Sequence, residues 1–250
     1  MIVDSHVHMG SRDEGQLQAD TERLLAGMQC FGIEKCCLMP WAHKLWSSRE
    51  ENRLWAEQLC GLVERFPDRL LPMLWINPNL PLEFLKGLVS RYLLDGPVIG
   101  IKIKQPAPDA KMHALFEFLQ RHDVPVLMHS WYHRSGLPMP QLDPGKIVSL
   151  VRDRPGLRLL MAHLTGCGLR GVQDIKPYAN ISIDTSGSQP FDGYLGYALR
   201  ELGPGRVHYG SDFPIRDLPS QLARIDSVEM TARERELVLA RNALNFFTRG

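Results

Sequence analysis

The chain has 250 residues, of which 44% are hydrophobic and 23% are charged. This composition is typical of a globular protein with one large core, and it excludes a disordered chain and a mini-domain. The 29 basic and 28 acidic side chains give a formal net charge of +1, and no block of like charge occurs along the sequence. We therefore expect neither a nucleic acid nor a membrane surface as a partner.

The N-terminal residues show no basic region followed by an apolar run, and no segment has the length of a membrane span without a charge or a proline. We therefore expect a cytoplasmic protein. The five cysteines agree with that compartment, because their number is odd and none are spaced C-x-x-C. We expect Cys167, in a glycine-rich segment, to offer an accessible thiol, and the other four to be buried.

Short β-branched runs alternate with longer helical patterns from end to end, which is typical of an α/β fold. Most of these runs are nearly continuous apolar stretches, which indicates strands covered on both faces, as in a parallel sheet. The predicted strands span residues 2–8, 33–39, 69–76, 98–104, 124–129, 157–163, 180–185 and 206–211.

Amphipathic patterns lie between the predicted strands. Ser48 with Glu51, and Thr231 with Glu234, form capping-box signatures at the start of two helices, and Asp109 is the expected cap of a third. These three helices are predicted over 48–66, 231–248 and 109–122, and weaker helical patterns cover 19–31, 81–94, 143–154, 168–178 and 191–202.

Eight strand-then-helix units in 250 residues predict a (β/α)8 TIM barrel that occupies 1–250 as a single domain. A doubly wound open sheet is the alternative. Such a sheet would normally carry a glycine-rich phosphate turn after its first strand, whereas this first strand ends in histidines.

The first predicted strand ends in the sequence D-S-H-V-H at 4–8. Because strand side chains alternate between faces, His6 and His8 point to the same side, near the mouth of the barrel. Two adjacent imidazoles can chelate a metal, although an isolated pair can equally be two hydrogen-bonded strand histidines.

Three further candidates follow other strands: His129, His163 and Asp212. The C-terminal ends of barrel strands meet at one rim, so these side chains converge with the first histidine pair. Imidazole and carboxylate ligands around an open position suit Zn²⁺, with Mn²⁺, Fe²⁺ and Co²⁺ as alternatives. A carboxylate at the position of Asp212 can bind metal and also take a proton, and His163 can polarise a substrate oxygen.

These motifs, together with YGSDFP at 209–214 and NALNFF at 242–247, resemble the amidohydrolase superfamily over essentially the whole chain. The closest resemblance is to its amidohydrolase-2 branch, which includes metal-dependent hydrolases, lactonases and relatives of aminocarboxymuconate-semialdehyde decarboxylase. The resemblance implies a (β/α)8 barrel with one divalent metal, usually zinc, held by His6, His8, His129 and Asp212. It also implies that His163 is an acid/base beside the metal.

Lys102 and Lys104 end the fourth predicted strand, where two-metal relatives carry a carboxylated, bridging lysine. Because the resembled branch is usually mononuclear, we expect one metal, and lysines that bind an anionic substrate group or pair with a carboxylate. Asp184 at the seventh strand is expected to orient a histidine or a loop rather than to bind metal.

Aromatic and cationic residues cluster in the predicted loops at the mouth. Trp41, His133, Arg134 and Arg216, with Lys104 at a strand end, are candidate substrate-binding residues. Their charge predicts a small, carboxylate-bearing substrate. The alternative is simple packing of the rim, with the charged tips in solvent. No role is assigned to His113, His122 or His208.

The leading functional hypothesis is a hydrolase that cleaves an amide, ester or lactone bond with metal-activated water. Non-oxidative decarboxylation is the enzymatic alternative, because the same ligand set serves both reactions in the resembled branch. The short chain favours hydrolysis modestly. A third hypothesis is a catalytically inactive metal-binding barrel, but a structural zinc site would need no additional acid/base. The oligomeric state stays open, with a homodimer as the commonest assembly of soluble enzymes.

Overall fold

The computed structural model describes residues 1–40, 47–104, 106–132, 142–188 and 191–248. Eight strands pair in sequence order, and each pairs in parallel with the next. The strands are Val3–Met9 (β1), Lys35–Pro40 (β2), Leu70–Ile76 (β3), Gly100–Ile103 (β4), Val126–Met128 (β5), Leu159–Met161 (β6), Ile181–Asp184 (β7) and Val207–His208 (β8).

Backbone hydrogen bonds between β1 and the segment that follows β8 bring the first and last strands together. The amide of Asp212 donates to the carbonyl of His6 at 2.8 Å, and the amide of His8 donates to the carbonyl of Phe213 at 2.7 Å. Sequential strand order with this closure confirms the (β/α)8 barrel and eliminates the doubly wound alternative, whose strand order reverses at a switch point.

Helices follow the strands on the outside of the barrel. They are Glu14–Cys30 (α1), Arg49–Arg65 (α2), Leu82–Val89 (α3), Asp109–Arg121 (α4), Pro144–Val151 (α5), Leu164–Ile175 (α6), Tyr194–Leu202 (α7), Leu218–Asp226 (α8), Ala232–Glu236 (α9) and Asn242–Phe247 (α10). Single π-turns at Ser90–Leu94 and Leu237–Arg241 extend α3 and join α9 to α10, and a 3-10 turn spans Pro204–Arg206. Within the described ranges, no helix is both long and apolar enough to cross a membrane.

The predicted helix starts are partly correct. Both capping boxes are present, at Ser48 and at Thr231. The prediction of Asp109 as a cap is wrong, because Pro108 is the cap and Asp109 is the first residue of α4. Helix α1 begins five residues before its predicted start, since the Asp13 side chain accepts from the amide of Gln16.

Helix α8 was not predicted, and α6 begins earlier than its pattern suggests. Asp217 caps α8 through the amide of Ser220, and a proline occupies its first turn. Helix α6 starts directly after His163, and Gly168, with φ 65°, interrupts its helical geometry. Cys167 therefore lies in a helix and is buried, with Sγ 3.4 Å from the carbonyl of Ala162. Burial raises the pKa of this thiol, so the expected accessibility is wrong.

Alternate residues along the strands belong to two apolar clusters. Cys37, Met73 and Leu127 form a small cluster with Phe247 of α10, whereas Cys36 and the strand residues next in phase join the large cluster with the helices. Period-two alternation therefore separates a barrel interior from a layer between barrel and helices. The polar groups described below share the interior.

Candidate metal centre

His6 and His8 lie side by side at the end of β1, and their Nε2 atoms are 3.1 Å apart. Nδ1 of His6 is 2.8 Å from Oδ2 of Asp184, and Nδ1 of His8 is 3.0 Å from the carbonyl oxygen of Pro40. Both partners are acceptors, so each Nδ1 carries the hydrogen. In the neutral ring the facing Nε2 atoms are then lone-pair donors.

Asp212 directs its carboxylate at the same point. Its Oδ1 is 3.6 Å from Nε2 of His6 and 3.4 Å from Nε2 of His8, and this one oxygen has no hydrogen-bond partner among the described residues. Three electron-rich atoms, all buried and within 4.8 Å of one another, repel each other unless a cation lies between them. The donor set therefore fits a divalent metal ion.

Hydrogen bonds to the backbone and unusual backbone conformations position the residues around this donor set. Asp4 accepts from the amides of His6 at 3.1 Å and Ser211 at 2.9 Å, which ties β1 to the segment that follows β8. Burial raises the pKa of Asp4 to about 7. Asp212 has a φ of 61° and His163 a φ of 72°, the left-handed conformation that non-glycine residues rarely adopt. Such strain is typical of functional positions.

A second histidine pair adjoins the first. Nε2 of His163 is 3.0 Å from Nδ1 of His129, and Nδ1 of His163 is 2.8 Å from Oγ of Ser186. Oδ1 of Asp184 accepts from the amide of His163 at 2.9 Å. Since Asp184 accepts hydrogen bonds from His6 and His163, it makes the contacts expected of an orienting carboxylate.

The predicted ligands are thus brought to one mouth but not to one point. Among the described residues, the three-donor group contains His6, His8 and Asp212, and His129 lies outside it against His163. A second group, His6, His163 and Asp184, is equally compact. Its carboxylate, however, already accepts hydrogens from both histidines, so we assign it to hydrogen bonding.

Burial controls the charges of this centre. It is the largest cause that holds the pKa of His6 and of His163 well below the usual range, so both imidazoles are neutral near pH 7. Burial alone would raise the pKa of Asp212, but the neighbouring imidazoles and the Lys102 ammonium outweigh it and lower that pKa to about 2. Neutral imidazoles beside an ionised carboxylate are the protonation states that a metal requires.

Lys102 contacts the centre directly. Its side chain is 1% exposed, and its Nζ is 3.0 Å from Nε2 of His6. Burial lowers its pKa to about 8. Lys102 is paired with Trp75 of β3 in the sheet register, and both face the mouth.

A cavity of about 320 Å³ opens above the donors. Lys104 and Arg216, two of the candidate substrate-binding residues, line it. Trp41, His133 and Arg134 lie outside the described residues. The cavity wall comprises His8, Trp75, Lys102, Lys104, His129, Trp131, His163, Asp212, Ile215 and Arg216.

The sequence predicts no role for Trp75, and it places Trp131 only among the aromatics of a predicted loop. Trp75 is 3% exposed, and its indole N–H has no hydrogen-bond partner within the described ranges. Trp131 lies 5.7 Å from the ring of His163 and presses on Gly166, where an added Cβ would meet ring atoms at 2.3 to 2.7 Å. The strand-end position of Trp75 was a signal that the sequence offered.

The unassigned histidines lie elsewhere. His113 is in α4 and His122 ends it. His208, in β8, is 2% exposed, and its ring packs edge-on against Phe246 with centroids 5.4 Å apart.

Solved structures with this fold include decarboxylases and hydrolase relatives. A 5-carboxyvanillate decarboxylase from Sphingomonas paucimobilis has 14% identity and a TM-score of 0.79, over 98% of each chain. A dihydroxybenzoic acid decarboxylase from Polaromonas sp. JS666, with bound manganese and the inhibitor 2-nitroresorcinol, has 17% identity and a TM-score of 0.81, over 98% of this chain and 96% of that chain. An amidohydrolase from Burkholderia multivorans with bound HEPES has 13% identity and a TM-score of 0.73, over 99% of each chain. At these identities the likeness shows the fold alone.

A family match carries the assignment further. The comparison with curated proteins finds no match. The model of one family, described as Amidohydrolase, matches residues 92–249, more than half of the chain, including Lys102, His129, His163 and Asp212. This confirms the resemblance that the histidine motifs indicated. The chain belongs to the amidohydrolase family.

Proposed function

We propose that this protein is a metal-dependent, non-oxidative decarboxylase of a small carboxylic acid that carries an aromatic or unsaturated ring. One observation carries the proposal: a single cavity is lined by His8 and Asp212 of the three-donor group, by two cations, Lys104 and Arg216, and by two indoles, Trp75 and Trp131. Cations bind a carboxylate, and indoles pack against a flat ring. The decarboxylases among the structural neighbours act on acids of this kind by their names.

His6, His8 and Asp212 would hold the metal, and His129 is the fourth ligand that the family resemblance implies. A bound divalent cation would supply positive charge that stabilises the electrons left behind as carbon dioxide departs. The neighbour from Polaromonas holds manganese, so Mn²⁺ joins Zn²⁺ as a first choice for reconstitution.

The chain's own residues bind the substrate and move the proton. Lys104 and Arg216 contact the substrate carboxylates through charge-assisted hydrogen bonds. Packing of the substrate ring against Trp131 excludes water from one face. The carbon–carbon bond breaks, its electron pair stays on the ring, and the vacated carbon takes up one proton, which His163 relays from solvent.

Hydrolysis, the leading hypothesis from the sequence, is the second candidate. The amidohydrolase from Burkholderia multivorans shares this fold, and the same His163 and Asp212 could serve bond hydrolysis. The argument from chain length is wrong, because the aligned region covers 98% of the chain of the Sphingomonas decarboxylase. Length therefore gives no reason to prefer hydrolysis.

The test is a substrate panel offered to protein reconstituted with Mn²⁺ or Zn²⁺, in D₂O. The panel pairs hydroxybenzoates and 5-carboxyvanillate with neutral lactones, esters and amides. We expect release of carbon dioxide from an acid and incorporation of one deuterium at the carbon that lost it, with His163→Asn as the matched control. Turnover of neutral lactones or amides alone would establish hydrolysis instead, and no turnover by any metal form would favour an inactive barrel.

A further inference from the structure

Lys102 is the only described lysine that makes a direct contact with the three-donor group. Its Nζ is 3.0 Å from Nε2 of His6, the atom that also faces Nε2 of His8 and Oδ1 of Asp212. The side chain is buried in the barrel interior, with 1% of its surface exposed.

Lys102 and a metal ion would both need the lone pair on Nε2 of His6. Because Nδ1 of His6 donates to Asp184, Nε2 of the neutral ring has a single lone pair in the ring plane. The ammonium of Lys102 donates into that lone pair at hydrogen-bond distance. A metal coordinated by His6 would use the same lone pair, so the two cations exclude each other at this atom.

Neighbouring strands and charged groups surround Lys102. The residue sits in the middle of β4, with Trp75 of β3 on one side and Leu127 of β5 on the other. The groups whose charges act on it are the carboxylates Asp184 and Asp212 and the ammonium of Lys104. A divalent ion at the three donors would therefore lie close to a buried positive charge, where the low dielectric strengthens repulsion.

We infer that Lys102 is a built-in competitor of the metal, which weakens metal binding and keeps the ion exchangeable. Its ammonium also offsets the negative charge of Asp212. The inference concerns metal affinity and holds whichever reaction the protein catalyses.

The test is metal binding to Lys102→Met, which removes the charge and keeps the length of the side chain. Protein stripped with a chelator would be titrated with Mn²⁺ and with Zn²⁺ against a chromophoric competitor, and the rate of metal loss to excess chelator would be followed separately. We expect Lys102→Met to bind each metal at least about tenfold more tightly than the wild type and to release it more slowly. Lys104→Met, which removes the same charge two residues along, is the control and should change the affinity much less.

Equal or weaker binding by Lys102→Met would overturn the inference, and weaker binding would make Lys102 part of the metal site itself. Circular dichroism and thermal unfolding would verify that the stripped variant is folded. If it is not, Lys102→Gln, which keeps a polar group beside His6 without the charge, gives the same comparison under the same criterion.

Discussion

Each carboxylate oxygen of Asp184 accepts a hydrogen bond from a different histidine: Oδ2 accepts from Nδ1 of His6 at 2.8 Å, and Oδ1 accepts from the amide of His163 at 2.9 Å. Its side chain thereby fixes the tautomer of one proposed ligand and the left-handed backbone of the proposed acid/base. The proposed ligand and acid/base groups thus share one support, although they come from strands far apart in the sequence.

Replacing this shared support should weaken metal binding without removing a ligand. We expect Asp184→Asn to lower the metal affinity by about 10- to 100-fold, because the amide no longer stabilises the Nδ1–H tautomer of His6. Competition with a chelator measures this change. Asp192→Asn, in an exposed loop position, is the matched control and should bind as the wild type does. Unchanged affinity in Asp184→Asn would show that Pro40 and Ser186 contacts suffice to hold the pair.

Substitutions of His6 and His163 should distinguish metal binding from proton transfer. We expect His6→Ala to lose the metal, since it removes one of three convergent donors. His163→Asn should keep the metal while kcat falls by about 10²- to 10⁴-fold, the usual effect of losing a positioned proton-transfer group. Elemental analysis of both variants beside the kinetics decides this. Metal loss from His163→Asn would make His163 a ligand.

The cavity cations should control substrate affinity. We expect Lys104→Ala or Arg216→Ala to raise KM at least about tenfold for the true substrate, a loss of about 1.4 kcal/mol that suits a hydrogen bond to a charged group. Arg200→Ala on the exposed surface of α7 serves as the control. If both cavity variants keep the KM of the wild type, the cations belong to the rim and the carboxylate-bearing substrate is the wrong class.

His208 should make the fold sensitive to acid. Burial lowers its pKa to about 4, below the value near 6.5 of an unfolded chain. The unfolded state therefore binds more protons between these values, and stability falls as the pH drops from 6.5 toward 4. Between pH 7 and pH 5, the free energy of unfolding should fall by about 2 kcal/mol less in His208→Leu than in the wild type. Denaturant unfolding at both pH values measures it, with exposed His122→Gln as the control. Parallel losses in wild type and His208→Leu would contradict the assignment.

The sequence predicted the site residues that lie at strand ends. It did not predict the contacts that depend on how far a side chain extends. His6, His8, His163 and Asp212 converge because parallel strands in a barrel end at one rim. No periodicity indicates that the long side chain of Lys102 crosses the interior to His6, or that Ser186 bonds to His163 from two residues past a strand. The sequence also failed to predict the start of α6, because the glycines there are typical of a loop. One of them, Gly166, leaves space for the ring of Trp131.

The space at Gly166 should determine where the indole of Trp131 packs. A Cβ at residue 166 would stand 2.3 to 2.7 Å from three ring atoms of Trp131, so the indole would have to leave its place beside His163. We expect Gly166→Ala to lower the free energy of unfolding by about 1–3 kcal/mol, the usual effect of overpacking, and to shift tryptophan fluorescence. Gly61→Ala is the matched control, because nothing lies within 4 Å of the added methyl in α2. There the same change should stabilise the helix by roughly 0.5–1 kcal/mol. Equal effects of the two substitutions would show that Trp131 does not depend on the space at Gly166.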